Sequence, residues 1–237
     1  EKDMIIGHIG ARAGSKGIPN KNFRVMHGKH VIDWSLDQLI DHEKVDAVVV
    51  STDSPEMYEH GLKRGGLDIG LRPNELATDT AGKFAVWQHS LAEVEKQTGP
   101  ATAFVDLDCT SPLRLPEDIS GAINLFQADA PDMVMSCCVS RKNPYFNMLE
   151  LDETGALQVS KPLQGHVLSR QAAPTVYDHV GLVYVVQPDY LRSAKSLFEG
   201  RVIPYLVPES RSLDIDSPLD WEIVEFMLGR QIEQGLR

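Results

Sequence analysis

Short apolar runs alternate with amphipathic stretches along the first 140 residues of the chain. Residues 4–10 read MIIGHIG, an apolar run closed by glycine that predicts a buried strand leading into a loop. Elsewhere apolar residues recur at helical spacing and predict helices. The predicted strands cover residues 4–10, 47–52, 67–71, 101–107, 133–139 and 181–186, and the predicted helices cover 31–40, 55–64, 83–96, 116–127 and 217–234. This alternation predicts a three-layer α/β/α fold with a mostly parallel sheet.

The alternation stops at residues 141–180, which contain scattered Pro and Gly and no long helical period. We interpret this segment as an inserted flap or dimerisation arm within one domain that spans residues 1–237. In mostly parallel sheets, ligands bind beyond the carboxyl ends of the strands. The candidate motifs follow predicted strands, so we expect them to meet at that edge of the sheet.

The chain is acidic, because 34 Asp and Glu outnumber 23 Lys and Arg to give a net charge of −11. An acidic chain binds nucleic acid and anionic membranes poorly, so we expect neither as a partner. No apolar run approaches the roughly 18–20 residues that span a bilayer. The three cysteines show no disulfide spacing. They predict a reducing, cytoplasmic location, or a nuclear one if the source is a vertebrate.

The loop after the first strand concentrates positive charge. Arg12, Lys16 and Lys21 lie close to Gly14 and Gly17 in a segment without apolar periodicity. Glycines let backbone N–H groups approach an anion, Arg can clamp a phosphate through two hydrogen bonds, and Lys adds a point charge. The loop matches neither GxxxxGK[ST] nor GxGxxG. It predicts either an anion-binding cradle or a solvated basic loop that improves solubility.

The sequence of this loop, ARAGSKGIPNKN at residues 11–22, resembles the signature loop of the CMP-sugar-acid synthetases, which include the acylneuraminate cytidylyltransferases. The block LRPNELATDT at residues 71–80 is similar to the family block that lines the cytosine pocket. The resemblance implies a nucleotide-diphospho-sugar transferase-like fold and a nucleotide site for CTP. It assigns Arg12, Ser15, Lys16 and Lys21 to the phosphates, Asn22 to the ribose and Arg72 to the base, with Arg12 and Lys21 also catalytic.

Two acidic segments are candidates for a metal site. In SLDIDSPLD, residues 212–220, Asp214 and Asp216 alternate around Ile215, and in an extended segment residues i and i+2 point the same way. The family has the same spacing where it holds magnesium, so the resemblance implies Mg²⁺, or Mn²⁺, at these two residues. Asp108, in DLDCTSPLR at residues 106–114, resembles an aspartate of the Kdo branch that binds magnesium. Turn or helix-capping aspartates are the alternative for these positions.

The block SRQAAPTVYDHVGLVY, residues 169–184, resembles the family segment that contacts the acid sugar. The resemblance assigns Arg170, Gln171 and Tyr184 to the sugar, with Asp108 as a further contact, whereas a core position is the alternative for Tyr184. Arg is the natural partner of a carboxylate. Val180 and Phe146 depart from the sialic acid pattern. The sugar is therefore left open among sialic, legionaminic, pseudaminic and Kdo or 8-amino-Kdo types.

The predicted reaction is attack of the sugar's anomeric hydroxyl on the α-phosphate of CTP, with release of pyrophosphate. Asp216 is expected to serve the metal and to assist as a general base. The family resemblance also implies a homodimer in which an arm of one subunit reaches the site of the other.

Three alternatives to this function are a nucleotidyltransferase for neutral sugar phosphates, a glycosyltransferase that uses its DxD motif, and a non-catalytic CTP-binding regulator. Arg170 and Gln171 argue against the first, since a neutral sugar needs no carboxylate clamp.

Overall fold

A six-stranded sheet with helices on both faces forms the centre of the computed structural model, which describes residues 3–15, 17–78, 80–165, 167 and 169–237. The strands are β1 Ile5–Gly10, β2 Val25–Met26, β3 Lys29–His30, β4 Ala47–Ser51, β5 Ala103–Asp106, β6 Met133–Val139, β7 Leu149–Leu151, β8 Leu157–Val159, β9 Tyr177–Val186 and β10 Val202–Leu206. The helices are α1 Asp33–Ile40, α2 Pro55–Lys63, α3 Lys83–Thr98, α4 Pro116–Asp129, α5 Pro188–Ser193 and α6 Pro218–Glu233.

The central sheet has the strand order β10-β6-β9-β5-β1-β4. β1 pairs in parallel with β4 and β5, and β6 pairs in parallel with β10. β9 runs antiparallel between β5 and β6. The mostly parallel sheet is therefore confirmed, with one antiparallel strand inserted near its middle. β2–β3 and β7–β8 form separate two-stranded hairpins.

Both faces of the sheet are covered, which confirms the three-layer arrangement. Ile5 and Ile9 of β1 pack in one hydrophobic cluster with α1, α2 and α4. Ile6 points to the other face and packs in a second cluster with α3 and α5, as the alternation of side chains along a strand requires. A third cluster joins α6 to the segment after β1, and Ile18 and Ile215 are both buried in it.

The secondary structure predicted from the sequence was wrong or incomplete at several places. Residues 67–71 form no strand, because Gly65 and Gly70 adopt positive φ angles and break the extended run; only the Leu67 amide reaches β4, through the Val48 carbonyl at 2.8 Å. β10 was missed because Pro204 argues against a strand, yet β10 lies at the sheet edge, where a proline is tolerated. The six-residue helix α5 was also missed, and β9 begins at Tyr177 rather than at residue 181.

The start of α6 is set by the predicted cap. Ser217 Oγ accepts a hydrogen bond from the Asp220 amide at 3.2 Å, and Asp220 Oδ2 accepts one from the Ser217 amide at 2.7 Å. This capping box fixes the direction from which the preceding acidic segment enters the helix. Within the described ranges, no helix is both long and apolar enough to cross a membrane.

Buried Arg114 ties three elements together under the carboxyl end of β5. Its guanidinium donates to Ser35 Oγ of α1 at 2.8 Å, to the Asp108 carbonyl at 2.8 Å and to the Leu182 carbonyl of β9. Burial lowers the pKa of Arg114 to about 10, although nearby aspartates oppose that shift. Arg114 thus holds the segment that carries Asp108 against the sheet.

We predict that Arg114→Met lowers the free energy of unfolding by about 3 kcal/mol or more, because it leaves buried acceptors without donors. Urea unfolding followed by circular dichroism measures the change. The matched control is Arg192→Met in α5, where a part-exposed guanidinium pairs with Glu95 and Asp189 and should contribute no more than about 1 kcal/mol. Equal effects of the two substitutions would contradict this account of Arg114.

Candidate active site

A cleft of about 420 Å³ opens at the carboxyl ends of β1, β4 and β5. This is the edge at which parallel sheets bind their ligands. Of the predicted site residues, the cleft is lined by Arg12, Ser15, Lys21, Asn22, Arg72, Asp108 and Asp216. Lys16 falls outside the described residues. The structure therefore brings the basic loop, the 71–80 block and both acidic segments together.

The basic loop is fastened at both ends. The Ala11 amide donates to the Ser51 carbonyl at 3.0 Å, and the Ala13 amide donates to Asp53 Oδ1 at 2.8 Å. At the far end Lys21 Nζ donates to the Ile215 carbonyl at 2.5 Å and lies 3.7 Å from Asp216 Oδ1. These contacts connect the start of the chain to its late acidic segment.

Gly17 permits that connection. A Cβ atom at Gly17 would lie well inside van der Waals contact with the Asp216 carbonyl oxygen. The loop can thus approach the acidic segment only with glycine at this position. A cation-bearing loop and an acidic segment share one wall of the cleft as a result.

Asn22 carries an unused acceptor. Its side chain is buried at the cleft, and among the described residues its Oδ1 atom has no hydrogen-bond partner. Buried polar atoms are nearly always paired, and an unpaired one marks a place where a ligand donor is expected. A ribose hydroxyl would supply such a donor.

Arg72 lines the cleft, and its side chain is anchored by Ser51, the last residue of β4. Its Nε atom donates to Ser51 Oγ at 3.0 Å, and its Nη2 atom donates to the Ser51 carbonyl at 2.6 Å. Gly10 lies beside it, and a Cβ there would come 3.1 Å from Nη2. Burial lowers the pKa of Arg72 from its ordinary value, which Asp53 and Asp106 oppose. Arg72 is therefore a fixed, directional donor rather than a mobile surface cation.

The two aspartates of the late segment alternate around Ile215 as predicted, and Ile215 is fully buried. The side chain of Asp216 is 81% exposed and lines the cleft. Asp214 is half-buried and accepts a hydrogen bond from Ser111 Oγ. It is not among the described residues that line the cleft. Burial raises the pKa of Asp214 to about 6, and the charges of Asp108 and Asp216 add to that shift.

Asp108 is held by a cation that the sequence reasoning missed. Lys83, the first residue of α3, hydrogen-bonds Asp108 Oδ1 and lies 3.2 Å from Asp106 Oδ2. Asp106 is buried and also binds His8 Nδ1 at 2.6 Å. Burial lowers the pKa of His8, which favours the neutral ring, so Lys83 is the cation that balances Asp106. The available signal was the alternation of Asp106 and Asp108 on one side of a strand end.

The sugar-side residues are placed differently. Tyr184 is only 1% exposed and is therefore a core residue, whose hydroxyl lies 2.7 Å from His179 Nε2 and 3.5 Å from Asp108 Oδ2. Arg170 and Gln171 lie in an exposed turn of the arm, where Arg170 Nη2 donates to the Ser140 carbonyl at 2.6 Å. Neither arm residue belongs to the described lining of the cleft.

Comparison with known proteins identifies the class. The profile of the cytidylyltransferase family matches residues 6–209, so this chain belongs to that family of nucleotidyltransferases. It is 33% identical over 225 residues to the CMP-N,N'-diacetyllegionaminic acid synthase of Campylobacter jejuni, covering 94% of both chains. It is 34% identical to the post-translational flagellin modification protein B of Campylobacter coli, again over 94% of both. With the N-acylneuraminate cytidylyltransferase of Escherichia coli it shares 30% identity over 94% of this chain and 51% of that protein.

Solved structures share the fold. A CMP:2-keto-3-deoxy-manno-octonic acid synthetase, solved with CTP, aligns with a TM-score of 0.71 and 18% identity over 97% of this chain and all of that one. The 4-diphosphocytidyl-2C-methyl-D-erythritol synthase of Anaerococcus prevotii aligns with a TM-score of 0.62 and 15% identity, over 96% of this chain and 99% of that chain. These neighbours confirm the predicted nucleotidyltransferase-like fold.

We predict that Asp214→Asn stabilises the metal-free protein above pH 6 and that the gain disappears on acidification. The folded pKa of Asp214, about 6, is above its ordinary value of 3.8. The stabilisation from protonated Asp214 is thus fully present below the unfolded pKa and is lost as pH rises through about 6. The difference should reach about 3 kcal/mol at pH 8.

Urea unfolding in chelator at pH 4 and pH 8 measures this difference. Asn keeps an oxygen for Ser111 Oγ to donate to, so the substitution tests charge alone. Asp189→Asn, at an exposed position of α5, is the control and should leave stability unchanged at both values of pH. If Asp214→Asn and the wild type had the same free energy of unfolding at pH 8, the claim that burial destabilises the charged form of Asp214 would be contradicted.

Proposed function

We propose that this enzyme transfers CMP from CTP to the anomeric hydroxyl of an acidic 2-keto-3-deoxy sugar and releases pyrophosphate. The observation that carries the proposal is the joining of the basic loop to the late acidic segment through Lys21, at the same cleft that Arg72 lines. The cleft thus brings together cations that can bind a triphosphate, a fixed hydrogen-bond donor that can bind a base, and carboxylates near the position of the reacting phosphate. The chain belongs to the cytidylyltransferase family.

The basic loop is proposed to hold the triphosphate. Arg12 and Lys21 provide charge at the cleft, and backbone N–H groups near Gly14 and Gly17 can approach phosphate oxygens closely. Asn22 Oδ1 is proposed to accept a ribose hydroxyl, which would satisfy its unused acceptor. Arg72 is proposed to donate to O2 and N3 of cytosine, because Ser51 fixes the direction of its guanidinium.

The donor chemistry of the acidic segment suits Mg²⁺ or Mn²⁺. Both are hard cations that prefer carboxylate oxygens, and Mg²⁺ is commonly bound by one or two carboxylates together with substrate phosphates. Among the described residues, no group of three or more His, Cys, Asp or Glu is placed to hold a metal ion by itself. Asp216 and Asp214 would hold the ion, since their carboxylates alternate around buried Ile215 beside the loop that would hold the phosphates. A bound ion would neutralise phosphate charge and increase the acidity of the sugar hydroxyl.

The chain's own residues are proposed to carry the remaining steps. The anomeric oxygen forms a bond to the α-phosphorus, and the bond from that phosphorus to the bridging oxygen of pyrophosphate breaks. Asp216, exposed in the cleft, accepts the proton of the anomeric hydroxyl and passes it to solvent. Lys21 and Arg12 stabilise the charge that accumulates on the departing pyrophosphate.

A legionaminic-type sugar is the proposed acceptor among the four candidate types. The relative named for N,N'-diacetyllegionaminic acid matches at 33% identity and covers 94% of both chains, whereas the named N-acylneuraminate enzyme matches about half its own length. Val180 and Phe146, which depart from the sialic acid pattern, also favour a different sugar.

Because the reaction consumes CTP, we propose that the enzyme acts in the cytoplasm.

The arm is proposed to form a homodimer. Leu151 of β7 pairs directly across the hairpin with Leu157 of β8, and their exposures are 67% and 69%. Exposed apolar clusters of this kind mark protein interfaces. Arg170 and Gln171 lie in the same arm and outside the described lining of this chain's cleft, so we propose that they reach the sugar site of the partner subunit.

We predict that purified enzyme releases pyrophosphate from CTP with an acidic 2-keto-3-deoxy sugar and that Asp216→Asn lowers kcat by about 100-fold or more. The assay couples pyrophosphate release to a colour reaction. The acceptors tested are the four acidic sugar types and neutral sugar phosphates, and the donors tested are CTP and the other nucleoside triphosphates. Asp189→Asn is the matched control and should keep full activity. Turnover with a neutral sugar phosphate alone would favour the alternative nucleotidyltransferase and defeat the proposal.

We predict that replacing both Leu151 and Leu157 by Glu converts the dimer to a monomer. Light scattering coupled to size-exclusion chromatography should report twice the 26.3 kDa chain mass for the wild type and one chain mass for the variant. Phe198→Glu changes an equally exposed apolar residue outside the arm and should remain dimeric. A dimeric double variant would place the interface elsewhere.

A further inference from the structure

The late acidic segment is held in place by residues 110–113, in the stretch of chain between β5 and α4. The Ile215 amide donates to the Thr110 carbonyl at 2.9 Å, and Asp214 accepts a hydrogen bond from Ser111 Oγ. One contact fixes the backbone of the acidic segment, and the other fixes a carboxylate. The position of the acidic segment therefore depends on where residues 110–113 lie.

The second half of this stretch is held in turn by the end of α6 and the residues that follow it. Gln231 is buried, and its Nε2 atom donates to the Leu113 carbonyl at 2.9 Å. Arg237 donates from Nη2 to the Pro112 carbonyl, and from Nε to Gln231 Oε1 at 2.9 Å. Gln231 and Arg237 thus form one hydrogen-bonded unit, which we call the α6 clamp.

The guanidinium of Arg237 lies in a well-defined position. Its central carbon is 5.6 Å from the centre of the Trp34 ring, which is close enough for cation–π attraction. Burial lowers the pKa of Arg237 to about 10, and the charge of Arg114 adds to that shift. The Leu236 amide donates to the Gln231 carbonyl at 3.0 Å, so the chain folds back onto the helix. Arg237 therefore makes its contacts from a part-buried position.

The α6 clamp supplies contacts that Arg114 does not. Arg114 donates to the carbonyls of residues 108 and 182, which lie outside residues 110–113. Among the described residues, the clamp provides the donors to the carbonyls of residues 112 and 113. An unpaired buried carbonyl costs free energy, so without the clamp the backbone would move to find other partners. Residues 110 and 111 are directly adjacent and would move with it.

We propose that the α6 clamp positions the metal-binding segment. Arg237 and Gln231 hold residues 110–113 so that Asp214 and Asp216 stay where they can bind a divalent cation. Neither clamp residue belongs to the described lining of the cleft, so both act through residues 110–113 rather than on the substrates. This inference rests on the proposed function for the metal, but the coupling of the clamp to the acidic segment can be measured without metal, nucleotide or sugar.

Amide hydrogen exchange, followed by NMR on the metal-free protein, measures this coupling. Arg237→Met and Gln231→Leu should each raise the exchange rate of the Ile215 amide by about tenfold, because its acceptor is no longer held. The Val183 amide, buried in the central sheet, reports global unfolding and should change less. Arg230→Met, at an exposed position of α6, is the matched control and should change neither rate. Equal increases at the two amides, or no increase at Ile215, would overturn the inference.

Mn²⁺ binding supplies the second readout, followed by the electron paramagnetic resonance signal of free Mn²⁺ without nucleotide or sugar. Arg237→Met should weaken Mn²⁺ binding by about tenfold, whereas Arg230→Met should leave it unchanged. If Asp216→Asn weakens Mn²⁺ binding and Arg237→Met does not, the inference is wrong. If Asp216→Asn has no effect on Mn²⁺ binding, the metal assignment of the proposed function fails, and the exchange rate of the Ile215 amide still decides whether the clamp positions the acidic segment.

Discussion

The parallel pairing of β1 with β4 on one side and β5 on the other is the constraint on which the site depends. In this register Gly10 lies opposite Ser51, and His8 lies opposite Asp106. Adjacent strands are about 5 Å apart, so the basic loop after β1, the anchor of Arg72 and the acidic end of β5 all begin within roughly 10 Å. The residues concerned are far apart in sequence, and the sheet alone makes them neighbours.

A second connection closes the cleft. Ile18 and Ile215 share the third hydrophobic cluster, so the basic loop and the late acidic segment are held together by burial. Lys21 and Gly17 then fix their separation through contacts with the backbone of residues 215 and 216. A chain with net charge −11 can in this way maintain a local cluster of cations next to carboxylates. Opposite charges placed on fixed backbone stabilise a charged transition state without reorganisation.

Much of the fold could be predicted from sequence because buried strands and amphipathic helices each leave a periodic pattern. The loop at residues 11–22, Arg72 and the alternation around Ile215 were equally visible, since each is local in sequence. Lys83 was not, because its role comes from a contact with Asp106 across 23 residues that no spacing rule encodes. β10 was hidden by Pro204, whose missing N–H is harmless only at a sheet edge.

The central claim is that this cleft moves the CMP part of CTP, and the fate of the phosphorus atoms tests it most directly. Enzyme, acidic keto sugar and CTP labelled with ³²P at either the α or the γ position are incubated, and the products are separated by charge. The account predicts that the α label is recovered in a sugar conjugate and the γ label in pyrophosphate. Recovery of the γ label in the sugar, or in free orthophosphate with the α label left in CDP, would contradict it.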